Sequence, residues 1–326
     1  MSRAGAALVV LMVLAAIAAP VVAPHGVDDR FPSLLSAPPT RPHVRDAAGG
    51  WHAPFIYRTR LVNRLEQTFE VDRSATVPLA WFTRGRLVVS SDDGTAPLLL
   101  LGADSLGRDV FSRLLAGARV SLALAGVAAL GTLTLGLVTG GLAGYAGGLT
   151  DEALMRAADF VMVLPAMYVA LALRSALPLV LAPALVFWLL AAIFAVVGAP
   201  FVARGVRAIV RSEREREYVE AARSLGAGHA RLLGRHLLPA ARGFLLVQLT
   251  IFVPAFIVAE ATLSYVGLGF PDPVASWGTM LRDAANIRTF ADFPWLLSPA
   301  AAIFLVVLGL NLLSERHRRA FPERPL

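Results

Sequence analysis

Long apolar runs recur along this chain, and they constrain its fold more than any other feature. After Arg3 the sequence reads AGAALVVLMVLAAIAAPVVA, and comparable runs cover about 116–145, 153–173, 179–202, 243–265 and 296–313. Each approaches or exceeds the ~20 residues that a helix needs to cross a bilayer. In lipid every backbone N–H and C=O must be satisfied internally, which leaves helices and closed barrels. Only 16% of residues are charged and 56% are hydrophobic, against roughly 25% charged in soluble domains. The expectation is an all-α polytopic membrane protein. The net charge of +7 then reads as arginine retained on the cytoplasmic side rather than as a nucleic-acid surface.

Two absences narrow the chemistry. The chain has no cysteine, so it has no disulfide and no thiolate chemistry. It also has no lysine; all 30 basic Lys+Arg residues are arginine. A Walker A loop needs its lysine on the nucleotide phosphates, so the chain should not be an ATPase, and a lysine Schiff base is excluded.

Between two apolar segments lies Glu217–Pro239, EYVEAARSLGAGHARLLGRHLLP. Tyr218, Ala221, Ala222 and Leu225 fall at i, i+3, i+4 and i+7, one face of a helix. Gly226 and Gly228 interrupt the pattern, Leu232, Leu233 and Leu237 form a second apolar set, and Pro239 marks the next boundary. Ser212-x-x-Glu215 has the spacing of a capping box for the first helix. From pattern alone the stretch is either a solvated loop with a short surface helix or a docking element.

Glu220-Ala221-Ala222, Gly226 and the later Leu238-Pro239 resemble the EAA loop of ABC-importer permeases. Leu101–Leu122, LGADSLGRDVFSRLLAGARVSL, and Glu260–Gly278, EATLSYVGLGFPDPVASWG, resemble the dipeptide, oligopeptide and nickel branch of that family, and the matches extend over most of residues 100–314. The resemblance implies a type I ABC-importer permease fold with about six transmembrane helices and a small extracytoplasmic insert between the first and second. Its parts would be a first helix over 1–24, an insert and interfacial segment over 25–115, a core over 116–314 with the cytoplasmic EAA loop at about 204–241, and a tail over 315–326. In that family the EAA loop sits in a cleft of the ATPase subunit. Tyr218, Glu220, Ala221, Ala222, Leu225, Gly226 and Pro239 would then form the coupling loop.

The resemblance implies partners as well: a second permease, two ATPase subunits that use ATP and Mg, an extracytoplasmic substrate-binding protein, and membrane lipid. No cofactor, metal site or catalytic residue is expected in this chain itself. The implied substrate is a di- or oligopeptide, with nickel or another small solute as the alternative. An ATP-independent channel or secondary transporter gives no reason for an EAA loop.

Residues 1–24 read either as a cleaved signal peptide, given Ala16-Ile17-Ala18, or as a retained helix, which the resemblance favours. Residues 25–100 open with a proline-rich stretch that reads as extended linker. Strand-like pieces follow at Phe55–Leu61, Val77–Phe82 and Leu87–Ser90, and Asp92-Asp93-Gly94 reads as a turn. This segment is either a subdomain packed on the permease or a contact surface for the binding protein. His25, His43 and His52 lack metal-ligand spacing. Asp104, Arg108 and Asp109 read as structural residues at the start of the next helix.

Gly136, Gly140 and Gly144 stand four apart, the pattern that lets membrane helices approach closely. Thr150 reads as a cap before Asp151 and Glu152, and Pro165 as a break in the helix at about 153–173. Glu260 is an ionisable residue inside an apolar helix, a candidate for either the pathway or a structural pair. Nine arginines crowd Arg204–Arg242, whereas the loop after Gly267 holds Arg282 and Arg288 with Asp272, Asp283 and Asp292. The positive-inside rule puts the first inside and the second outside. With six helices both termini fall inside a bacterial cytoplasmic membrane.

Overall fold

The computed structural model describes residues 2–46, 49–63, 66–164, 166–176, 178, 181–285 and 292–320. Helices α1 (Ser2–Val22), α2 (Val110–Ala146), α3 (Gly148–Val163), α4 (Ala166–Ser175), α5 (Pro183–Arg214), α6 (Glu217–Ser224), α7 (His229–Arg231), α8 (Arg242–Tyr265), α9 (Trp277–Asp283) and α10 (Ser298–Ala320) carry most of it. A four-stranded sheet follows α1, so the protein is mostly helical rather than all-α.

Among the described residues, five helical stretches are long and apolar enough to cross a membrane: Ala4–Val22, Val110–Ala146, Pro183–Arg214, His229–Tyr265 and Pro294–Leu313. The sixth expected span, at about 153–173, is divided into α3 and α4. Leu164 between them is extended, with φ −75° and ψ 128°, the conformation favoured before a proline. Pro165 itself lies outside the described residues, as does the expected start of the next span at Leu179.

Several expected boundaries move. Helix α5 does not stop near Val202 but runs on to Arg214, with Pro183 in its first turn, where a missing N–H costs nothing. Thr150 lies inside α3 rather than at its cap, because the helix begins at Gly148. Helix α10 runs past Leu313 to Ala320, and residues 321–326 of the expected tail lie outside the described residues. The loop after Gly267 holds α9, started by Ser276, which accepts from the Thr279 N–H in a reciprocal capping box. Arg288 in that loop lies outside the described residues.

The chain forms two compact units. The first comprises the described parts of Met1–Ala7, Leu122–Glu260 and Val307–Leu326; the second comprises those of Leu8–Ser121 and Ala261–Val306.

In the first unit the glycine ladder of α2 lies on α5. A side chain at Gly136 would meet Val202 and the Ala199 carbonyl, one at Gly140 the Ala203 carbonyl, and one at Gly144 the Arg207 carbonyl and Val210. The two helices thus meet along positions four apart on both sides, and backbone contact replaces side-chain packing. Below this seam Val202, Val206 and Val210 of α5 join Val219, Leu232, Leu237 and Ala241 in one buried cluster.

In the second unit β1 (His43–Arg45), β2 (Trp51–Asn63), β3 (Thr68–Thr83) and β4 (Arg86–Ser90) pair antiparallel in sequence order. Each expected strand piece lies within a longer strand. Ile56 and Val77, opposite each other in the register, are buried with Ala96 and Leu98. The proline-rich stretch before the sheet is not a free linker. Leu34 and Ala37 are buried against Leu99 and Ala103, and the Thr40 N–H donates to the Leu99 carbonyl.

The start of α2 is a buried charge cluster. Arg108 is 1% exposed. Its Nε donates to Asp104 Oδ2 at 2.6 Å and its Nη2 to Asp283 Oδ2 at 3.2 Å. Burial pushes the Asp283 carboxyl above the usual carboxylate range, while Arg108 beside it pulls it down. Asp109 accepts from Ser112 and lies 3.2 Å from His25 Nδ1. Asp104, Arg108 and Asp109 therefore knit the helix start to the chain around it.

Candidate functional site

The polar stretch Glu217–Pro239 forms two short helices and a turn. Helix α5 ends at Arg214, and Arg216 is extended at the start of α6 without a side-chain cap. The expected Ser212–Glu215 capping box is absent, because Ser212 is still within α5. Instead Glu217 and Glu220 stand in the first turn of α6 and Arg223 in its last, each at the dipole end that favours its charge.

Helix α6 ends in a left-handed glycine turn. Gly226 has φ +82°, a conformation that glycine adopts without cost. Its N–H donates to the Arg223 carbonyl, and the Ala227 N–H reaches back to the Ala222 carbonyl at 3.0 Å. These are the two bonds of a Schellman ending, and Ala222 and Ala227 supply its apolar contact against the buried cluster.

The chain then enters a continuous helical rod from His229 to Tyr265. Pro239 does not end a helix here. It begins a 3-10 turn over Leu238–Ala241, directly after a π-type turn over Leu232–Leu237. Proline lacks an N–H and its ring crowds the carbonyl four residues earlier, so the regular ladder is interrupted there.

Of the four residues expected on one face of α6, Ala222 turns inward. Val219 is fully buried and Ala222 half-buried, whereas Tyr218, Glu220, Ala221 and Leu225 are exposed, Leu225 at 89%. Three members of the i, i+3, i+4, i+7 pattern, Tyr218, Ala221 and Leu225, form the outward face, and Ala222 packs against the buried cluster. The inward face needs only Val219 and Ala222, three apart, too short a pattern to read from the sequence. Tyr218 Oη donates to Glu213 Oε2 at 2.8 Å. Burial of the hydroxyl and the neighbouring Glu213 charge raise its pKa above the ordinary tyrosine value, so it remains a donor.

Two further contacts fasten this loop, and both escaped the sequence reading because their partners are distant in the chain. Tyr145 Oη, at the end of α2, meets His229 Nδ1 at 2.5 Å, and Arg214 Nη1 donates to the Tyr145 carbonyl at 2.9 Å. Of the remaining expected site residues, Gly136, Gly140 and Gly144 lie on the α2–α5 seam, and Glu260 is fully buried in α8, one turn before its end. No cluster of metal-ligating side chains occurs among the described residues.

The glycine seam and the outward polar loop both fall within one stretch that a family model covers. The model for the binding-protein-dependent transport system inner membrane component matches residues 136–324. The chain belongs to that family. It is the permease component of an ABC importer, a transport subunit of the inner membrane. The permease is 40% identical over 229 residues to the oligopeptide transport system permease protein OppC of Bacillus subtilis (strain 168), covering 68% of this chain and 71% of that one. It is 38% identical over 223 residues to the nickel transport system permease protein NikC of Escherichia coli (strain K12), covering 67% and 76%. It is 36% identical over 233 residues to the glutathione transport system permease protein GsiD of Pectobacterium atrosepticum, covering 72% and 75%. Among solved structures, an inward-facing MetNI methionine ABC transporter is similar at 21% identity with a TM-score of 0.49, over 64% of this chain and 95% of that one.

Proposed function

We propose that this permease forms half of a translocation pathway for di- or oligopeptides, with a second permease as the other half. Two ATPase subunits bind ATP and Mg and grip the loops of the two permeases, and an extracytoplasmic binding protein delivers the substrate. The observation that carries this reading is the outward face of α6. Tyr218, Glu220, Ala221 and Leu225 are exposed while Val219 anchors the helix from beneath. A leucine that is 89% exposed at the end of a firmly terminated helix has no use in the isolated chain, but it suits a partner's apolar cleft.

The small Ala221 lets that partner approach closely, and Gly226 sets the angle at which the helix is presented. The arginines of Arg204–Arg242 support a cytoplasmic loop, with both termini on the same side. The sheet of residues 43–90 then lies outside the cytoplasm, as the insert of residues 25–115. ATP-driven closure of the ATPase pair moves α6, and α5 carries the motion into the membrane.

The peptide assignment draws on the relatives named for oligopeptides and glutathione. NikC supports nickel as the second reading. A tagged chain purified in mild detergent should bring down a second permease and active ATPase subunits. In a strain lacking its own peptide uptake, the restored system should accumulate a labelled oligopeptide and not radioactive nickel. Purification of the chain alone, with ATP-independent transport, would contradict the importer reading; nickel uptake without peptide uptake would move the substrate to the second reading.

A further inference from the structure

The first unit holds a second polar device, one that the loop itself does not explain. Arg207 of α5 grips Asp151 of α3 with both arms of its guanidinium: Nε bonds Oδ1, and Nη2 donates to Oδ2 at 2.6 Å. One turn earlier on α5, Arg204 Nη2 bonds Asp159 Oδ1. The Asp151 side chain is 13% exposed and that of Arg207 31%, so the first pair is well shielded and geometrically fixed. A bidentate pair of this kind is directional as well as attractive.

Helix α3 also packs along α5. It joins α2 through Gly147 and Gly148, with φ +67° and +53°. A side chain at Gly148 would meet nothing, and one at Gly147 would meet only Arg214 Nη1 at 3.6 Å. The joint is therefore an uncrowded pair of glycines in left-handed conformations. Helix α5, in contrast, is continuous from Arg204 to Arg214 and packs directly on Val219 of α6 through Val206 and Val210. From Arg214 back to Arg207 the rod spans about 10 Å at ~1.5 Å per residue.

We infer that the Arg207–Asp151 pair is the coupling strut of this permease: it draws the start of α3 with α5 when the loop moves. Arg207 and Asp151 are positioning residues, since they touch neither substrate nor nucleotide. The inference rests on the docking role proposed for α6, and its test separates the two.

The chain has no cysteine, so a single Leu149→Cys at the start of α3, ahead of the apolar span and at a site 85% exposed, reports on that helix alone. In the assembled importer, ATP should change the maleimide labelling rate of this cysteine. Arg207→Gln should sharply reduce the ATP response, since among the described residues only the Arg204–Asp159 pair and the α3–α5 packing then remain, while the ATPase subunits still co-purify. Arg207→Lys keeps the charge but not the two parallel bonds and should give a reduced response; it carries the test if the Gln variant does not fold. Exchanging the charges, Arg207→Asp with Asp151→Arg, should restore the response. A full ATP response in Arg207→Gln or Arg207→Lys, no response in the unaltered background, or no recovery in the exchanged pair would overturn the inference. Loss of the ATPase subunits from the otherwise unaltered chain would overturn the docking reading, and the strut with it.

Discussion

Glu217–Pro239 turns its charged side chains outward over an apolar floor, whereas Asp104–Arg113 buries its charges against one another. In the first, Val219, Leu232 and Leu237 are buried while Glu220, Arg223 and Arg235 are exposed. In the second, Asp104, Arg108, Asp109 and Arg113 are all nearly inaccessible. Both stretches are rich in charge, and composition alone does not separate them. The difference lies in what each charge pairs with. Buried charges need near-complete pairing, since desolvation is costly, so the Asp104–Arg113 cluster is fixed within its own unit. The loop leaves its charges in solvent and its exposed apolar atoms unpaired, and so remains available to a partner. One region is finished within the chain and the other is not.

Removing Arg108 should break that contrast most severely. Arg108→Leu strips the cation from between buried Asp104 and half-buried Asp283 and leaves Asp104, among the described residues, with only the Arg113 cation, at 3.6 Å. Loss of one partner of a buried pair costs about 3–5 kcal/mol, so thermal unfolding in detergent should fall steeply and yield with it. A loss of under ~1 kcal/mol, typical of exposed pairs, would mean that the cluster is not the closed region described here.

A smaller effect is expected at Gly226. Its φ of +82° makes Gly226→Ala cost about 1–2 kcal/mol in left-handed backbone strain, confined to the turn. The change should appear as faster tryptic cleavage at Arg223 and Arg231, with global unfolding little altered. Unchanged cleavage would show that the Schellman ending does not hold the loop.

Much of this was legible in the sequence. The apolar runs specify the membrane spans because lipid leaves the backbone no other solution, and the glycines at four-residue spacing mark the seam with α5. The loop was legible as a helix, a glycine break and a second helix. Its facing was not. Helical spacing groups Ala222 with Tyr218, Ala221 and Leu225, and only the packed position of Val219 shows that Ala222 turns inward. The division of the span at about 153–173 into α3 and α4 follows from local backbone sterics at Leu164, which hydropathy does not register. The bonds Arg207–Asp151, Tyr145–His229 and Arg108–Asp283 join residues far apart in the chain, and one sequence carries no record of such pairings.

The central claim is that the apolar end of the outward face of α6, at Ala221 and Leu225, exists for a partner and contributes nothing to the fold of this chain. Leu225→Arg tests it most directly, because the side chain is already in solvent and its replacement should change stability by no more than about 0.5 kcal/mol. The account predicts a variant that purifies and unfolds like the unaltered permease but no longer brings down ATPase activity. A variant that retains the ATPase subunits in full, or one that unfolds before it loses them, would contradict it.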